Sequence, residues 1–202
     1  MSTPFTKAGN GSKKRADSTM KIAIERGFEF PEKIITNVCG LNFRINEQKE
    51  GDLINKVELF TLKCHQGYDS LGYINEKKKG QYELPGGKVD NEDDTIQDTL
   101  VREIAYEEIG MPSNGIIVGS EIKRYCLLIM GKDREFIIYS FRFNEELPEP
   151  EKIKDRKNYE RWEYIPFPEL HVKNISPLIN MLINDQDIIL SIKDITSKLT
   201  RN

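Results

Sequence analysis

The chain has 202 residues, 38% of them hydrophobic and 31% charged, with 30 basic against 33 acidic side chains and a net charge of −3. That length suits one domain with a tail and a core that needs no metal or disulfide staple. No run approaches the ~18 apolar residues of a membrane span, and the mild acidity gives no general attraction for nucleic acid.

Residues 1–33 read as a flexible arm, in whose first 16 residues Gly, Ser, Thr and Lys dominate, with a short helix at Ser18–Gly27 leading into a single domain over 34–202. The arm holds Lys7, Lys13, Lys14 and Arg15 before its first acid, Asp17, but no apolar signal core. A cytoplasmic protein is expected, with nuclear or organellar targeting by the arm left open. From Ile34 to Ile45 β-branched and aromatic residues predict a strand broken by Gly40, then a polar turn over Asn46–Asp52. Val57–Cys64 predicts a second strand and Tyr82–Leu84 a short extended piece ending in Pro85-Gly86-Gly87.

Asp94–Glu108 has helical periodicity, with Ile96, Leu100, Val101, Ile104 and Ala105 on one side and Gly110 as its stop. Ile116–Met130 and Glu135–Phe143 predict a hairpin, and Leu147–Asn158 a long polar loop. Trp162–Phe167 predicts the last strand, and helical segments follow from Pro168, including Pro177–Ile183. Strands around one central helix, with another helix at the end, indicate an α/β sandwich. Cys39, Cys64 and Cys126 form no metal-ligand or disulfide pattern and read as reduced core thiols.

Charge is unevenly spread. Asp90, Glu92, Asp93, Asp94, Asp98, Glu103, Glu107 and Glu108 stand against Arg102 alone, so this stretch carries −7 and the rest of the chain +4. Carboxylates repeated along a helix after a glycine turn suit a hard divalent cation, and they equally suit a solvated acidic face. Glycines at the turn let the backbone approach a metal or phosphate closely.

The segment Gly86–Met111, GGKVDNEDDTIQDTLVREIAYEEIGM, resembles the Nudix box, G-x5-E-x7-R-E-U-x-E-E-x-G-U with U aliphatic. Gly87, Arg102-Glu103-Ile104 and Glu107-Glu108-Ile109-Gly110-Met111 match its parts, and Tyr82–Val89 and Trp162-Glu163-Tyr164-Ile165 resemble the flanking family sequence. The likeness spans about residues 34–185. It implies an α/β/α sandwich with a central mixed sheet and the box as loop and helix.

The same resemblance implies a MutT-like pyrophosphohydrolase that uses Mg²⁺ or Mn²⁺ to split the diphosphate of a nucleoside diphosphate linked to another group. A nucleoside triphosphate cut to monophosphate and pyrophosphate is the expected reaction. Glu103, Glu107, Glu108 and the Gly86 carbonyl would hold metal. Arg102 would orient a glutamate, and Glu107, Glu103 or a late-loop acid such as Asp155 or Glu160 would take the proton. Gly87, Lys63 and Trp162 are candidate substrate contacts, although Trp162 also suits core packing and Lys63 a plain surface position. The expected partner is a small nucleotide or other diphosphate, with no membrane or nucleic acid, acting as monomer or homodimer. The alternative is a Nudix-fold nucleotide-binding module that has lost catalysis.

Two spacings depart from the family pattern. Between Gly87 and Arg102 there is one residue more than the pattern allows, which leaves open whether Asp93 or Asp94 replaces the early glutamate. Between Glu103 and Glu107 there are three residues, Ile104, Ala105 and Tyr106, where the pattern has two.

On a straight helix, with Asp98 as zero, Glu103 points to about 140° and Glu107 to about 180°. Glu108 then points to about 280°, into the apolar side, where an unpaired carboxylate is costly. A single residue absorbed as a π-bulge turns the later positions back by about 100°, so that Glu103, Glu107 and Glu108 converge. The spacing predicts a distortion around Ala105–Tyr106.

Overall fold

The computed structural model describes residues 35–65, 67–68, 74–75, 78–90, 93–129, 132–155 and 157–199. The arm, its expected helix at Ser18–Gly27 and the connector at Met130–Gly131 lie outside the described residues. In chain order come β1 (Ile35–Leu41), β2 (Phe43–Ile45), α1 (Leu53–Lys56), β3 (Val57–Cys64), β4 (Gly67–Tyr68) and β5 (Ile74–Asn75). β6 (Tyr82–Glu83), β7 (Gly86–Lys88) and α2 (Ile96–Val101) follow, and α2 runs directly into a π-helical segment at Arg102–Ile109. The rest is β8 (Ile116–Ile129), β9 (Lys132–Phe143), β10 (Tyr159–Pro166), α3 (Pro177–Asn184) and α4 (Gln186–Leu199).

The central layer contains two sheets. One has the order β7-β1-β9-β8, with β1 parallel to β9 and antiparallel to β7, so the sheet is mixed. The other has the order β10-β3-β2, and β6 also pairs with β3. The expected β8–β9 hairpin and the strand Val57–Cys64 are present. One β segment at 34–45 is instead two, because Asn42 leaves the ladder: its side-chain amide donates to the Phe141 carbonyl and its carbonyl oxygen accepts from Tyr164.

β3 is buried along almost its whole length because helices cover both sides, which explains its nearly continuous apolar run. On one side Ile96, Leu100, Ile104, Ala105 and Ile109 of the acidic helix pack onto Val38, Phe60, Leu62, Ile137 and Tyr139. On the other, Ile179, Leu182, Ile183, Ile188 and Ile192 of α3 and α4 close over Leu41, Leu59, Ile138 and Ile165. The result is the expected α/β/α arrangement with a mixed central sheet. Among the described residues no helix is long and apolar enough to cross a membrane.

Three sequence expectations need correction. Cys39 and Cys64 are core thiols, but Cys126 is exposed on β8. The last strand begins at Tyr159 rather than Trp162, and it meets β3 through an irregularity between Tyr159 and Arg161. The loop at Leu147–Asn158 is not wholly polar in effect: Ile153 is buried in the core between charged neighbours that face outward.

Candidate active site

The acidic helix begins at Thr95, whose hydroxyl accepts the Asp98 N–H at 3.1 Å and donates to the Asp98 carboxylate at 2.7 Å. This local capping fixes the entry of the chain. Beyond Val101 the backbone widens to π geometry over Arg102–Ile109, the stretch that contains the extra residue. At its end the N–H groups of Gly110 and Met111 both donate to the Ala105 carbonyl, at 2.9 and 2.6 Å, and Gly110 takes a left-handed φ of 87°. The distortion expected at Ala105–Tyr106 is thus present, but it starts three residues earlier. Tyr106 is 58% exposed, so the extra residue points outward.

This register sets the carboxylates. Glu108 is only 4% exposed and accepts the Gly86 N–H at 3.1 and 3.3 Å through its two oxygens. Gly86 has φ 135°, and a Cβ there would strike the Val38 carbonyl on β1. At Gly87 a Cβ would occupy the Glu103 carboxylate itself. The two glycines therefore make the gap into which Glu103 and Glu108 fit. Burial pushes the Glu108 carboxyl well above its ordinary pKa, Glu103 adds to this, and the Gly86 N–H and the Tyr159 hydroxyl work against it. Burial also raises Glu103, opposed by the Arg102 charge and assisted by Glu107.

Arg102 gathers the remaining acids. Its Nε donates to Asp93 at 3.0 Å, and one terminal nitrogen reaches Glu103 at 3.0 Å and Glu107 at 2.6 Å. The other terminal nitrogen donates to Asp93 at 3.0 Å and to the Lys88 carbonyl at 3.3 Å. Asp93, whose carboxylate also accepts from Thr99 at 2.9 Å, occupies the place left open in the sequence, and Asp94 faces solvent. Arg102 thus holds Asp93, Glu103 and Glu107 by charge-assisted hydrogen bonds rather than standing free.

The sequence-predicted residues separate into two groups. Glu103, Glu108, Gly86 and Gly87 come together, with Arg102 holding Glu103 from behind. Glu107 does not join Glu108 in the gap; it is exposed and paired with Arg102. Among the described residues no three His, Cys, Asp or Glu side chains form a ready metal cage. Convergence of all three glutamates therefore needs correction: Glu103 and Glu107 meet at one Arg102 nitrogen, while Glu108 turns to the Gly86 N–H.

Asp155 lies near Glu108 and adds to its raised pKa, and the Asp155 N–H donates to the Glu108 carbonyl at 3.1 Å. Its carboxylate is engaged by the Asn158 amide at 2.7 Å. Lys63 forms an ion pair with Glu160 at 3.1 Å. Trp162 stacks on Phe60 with centroids 5.9 Å apart and donates its indole N–H to the Pro148 carbonyl at 2.9 Å, so its ring is committed to packing. Tyr159 is a neighbour of Glu108 that sequence reasoning missed, since an aromatic opening a strand carries no signal of its own.

A family model described as NUDIX domain matches residues 65–183, which takes in the glycine turn, the helix and the last strand. The chain belongs to the Nudix family. No curated protein matches it significantly. Among solved structures it is similar to a NUDIX hydrolase from Nitrosomonas europaea, with TM-score 0.55, 12% identity, and 79% of this chain and 90% of that one covered. It is also similar to a MutT NUDIX hydrolase from Burkholderia pseudomallei, with TM-score 0.53, 14% identity, and coverage of 76% and 98%. A third is the Ap4A hydrolase of C. elegans in a binary complex, with TM-score 0.52, 13% identity, and coverage of 78% and 98%. At such identities these structures speak for the fold alone. The sequence match gives the Nudix family and the solved structures give the Nudix fold.

Proposed function

We propose that this Nudix protein is a Mg²⁺- or Mn²⁺-dependent hydrolase of a diphosphate bond in a nucleoside diphosphate derivative, with a nucleoside triphosphate cut to monophosphate and pyrophosphate as the leading reaction. The observation that carries this reading is Glu108. Its carboxylate is buried, and among the described residues no Lys, Arg or His pairs with it. A buried charge without a counter-charge is costly, and a bound cation removes that cost.

The donor set fits a hard divalent ion. Glu103 and Glu108 offer carboxylate oxygens beside the Gly86–Gly87 backbone, and such ions prefer oxygen ligands. Glu103 and Glu108 would hold the metal, with the Gly86 carbonyl as a further candidate. The ion would neutralise the diphosphate and lower the pKa of a water. Arg102 keeps Glu103 in place through one hydrogen bond, while its fork closes on Asp93. Glu107 is the candidate acceptor of the water's proton, because it faces solvent next to Glu103. In the balanced reaction a water oxygen bonds to phosphorus, the bond from that phosphorus to the bridging oxygen breaks to separate monophosphate from pyrophosphate, and one proton of the water passes to the carboxylate.

The test is release of phosphate or pyrophosphate from a panel of nucleotides with Mg²⁺, comparing wild type with Glu108→Gln and Glu107→Gln. Wild type is expected to hydrolyse part of the panel, with each variant reduced on the order of a hundredfold. Retained nucleotide binding with no hydrolysis of any diphosphate would overturn the enzyme reading in favour of the binding module.

A further inference from the structure

The extra residue that disturbs the box spacing has a partner. Tyr106 is turned out of the helix, and the Lys154 ammonium sits over its ring, 3.6 Å from the centroid. Lys154 belongs to the loop before β10, and this loop also grips the helix through its backbone. The Lys154 N–H donates to the Ile109 carbonyl at 3.3 Å, and the Asp155 N–H to the Glu108 carbonyl at 3.1 Å. Two of the last helical carbonyls are thereby satisfied by a segment distant in sequence.

The approach is close. A Cβ at Gly110 would lie 3.0 Å from the Lys154 Cβ, so the glycine makes room for the loop as well as ending the helix. Ile153, 2% exposed, anchors the loop in the core on the other side of this contact. A π-helical register is rare and persists where surroundings select it. Here that register is what aims Glu108 at the Gly86 N–H.

We infer that Lys154 and Tyr106 form a clamp that holds the π-helical register and so positions Glu108 against Gly86. Both are positioning residues, acting through Glu108 and touching no substrate. The inference rests on the reading of Glu108 as part of the active site, but the clamp itself has a readout that needs neither metal nor substrate.

That readout is the hydrogen-exchange protection of the Gly86 amide, which donates to Glu108, measured in the full chain against amides of the β8–β9 hairpin. Tyr106→Leu and Lys154→Ala are each expected to reduce Gly86 protection about two- to fivefold, the range of a half-exposed cation–π pair. The double variant should lose no more than either single one, and Tyr106→Phe, which keeps the ring, should match wild type. Hairpin protection should stay unchanged throughout. Wild-type Gly86 protection in both single variants, or equal loss in Tyr106→Phe, would overturn the clamp. If protection falls as expected while wild type hydrolyses no diphosphate, the clamp stands and the enzymatic reading fails. The reverse result leaves the enzyme and removes the clamp.

Discussion

Glu58 and Glu108 are equally hidden, each 4% exposed, yet their surroundings are opposite. Glu58, on β3, accepts from Arg44 at 2.7 Å and Asn46 at 3.0 Å and has Lys49 at 3.5 Å. Burial alone would raise its pKa, but those hydrogen bonds and charges outweigh it and leave Glu58 below the ordinary value of 4.5. Glu108 has a backbone N–H and a tyrosine hydroxyl for company, with Glu103 and Asp155 adding negative charge, and its pKa stands well above 4.5. A buried carboxylate that the protein has already neutralised is part of the scaffold. One that it has left without a counter-charge resists ionisation, and under the proposed function a cation would supply the missing charge.

The largest effect that separates the two concerns activity. Glu108→Gln should lower hydrolysis on the order of a hundredfold, while Glu58→Gln should leave kcat within about twofold of wild type, because Glu58 touches nothing near the glycine turn. Comparable losses in both would erase the distinction. On stability the order inverts. In chemical denaturation without metal, Glu58→Gln should cost about 2 kcal/mol, since Arg44 and Lys49 lose their counter-charge, a figure reduced because Arg44 is half-exposed. Glu108→Gln should stabilise the metal-free fold by about 1 kcal/mol, because it removes an uncompensated charge and keeps an acceptor for Gly86.

The pH dependence is subtler and again of opposite sign. Folding raises the pKa of Glu108 and Glu103, so the native state binds their protons more tightly than the unfolded chain. Their contribution to metal-free stability is full below 4.5 and falls as pH rises from there through the folded pKa. The Glu58 pKa is lowered, so its contribution is present above 4.5 and disappears as pH falls below that value. Unfolding curves from pH 4 to 8 should show wild type losing stability toward the upper end relative to Glu108→Gln. Parallel curves would contradict the assignment.

Much of this site was legible in the sequence, for a local reason. The glycine turn and the helix that follows lie within 26 residues, Gly86–Met111, so spacing alone relates their side chains. The extra residue before Glu107 required a distortion, and angles about the helix axis were enough to place it near Tyr106. Spacing could not show that Arg102 would hold Glu107 together with Glu103 on one nitrogen, because that depends on which acids a flexible guanidinium reaches. It could not separate Asp93 from Asp94 for a similar reason: the deciding partner, Thr99, is met only once the loop has folded onto the helix.

The parts that escaped were non-local. Ile153 was hidden in a run of charges, and its role depends on a core formed by distant strands and the acidic helix. Lys154 meets Tyr106 across 48 positions, and Tyr159 approaches Glu108 across 51. Asn42 divides the first strand in two because Phe141 and Tyr164, 99 and 122 residues away, claim its side chain. Nothing in the neighbouring sequence announces such meetings.

Thermal unfolding during a Mn²⁺ titration tests the assignment of Glu108 most directly. The wild-type midpoint should climb with metal concentration, by an amount equivalent to about 2.7 kcal/mol at a hundredfold excess over Kd. Glu108→Gln, already more stable without metal, should climb far less. A wild-type midpoint indifferent to Mn²⁺, or an equal rise in Glu108→Gln, would contradict Glu108 as a ligand held ready for a cation.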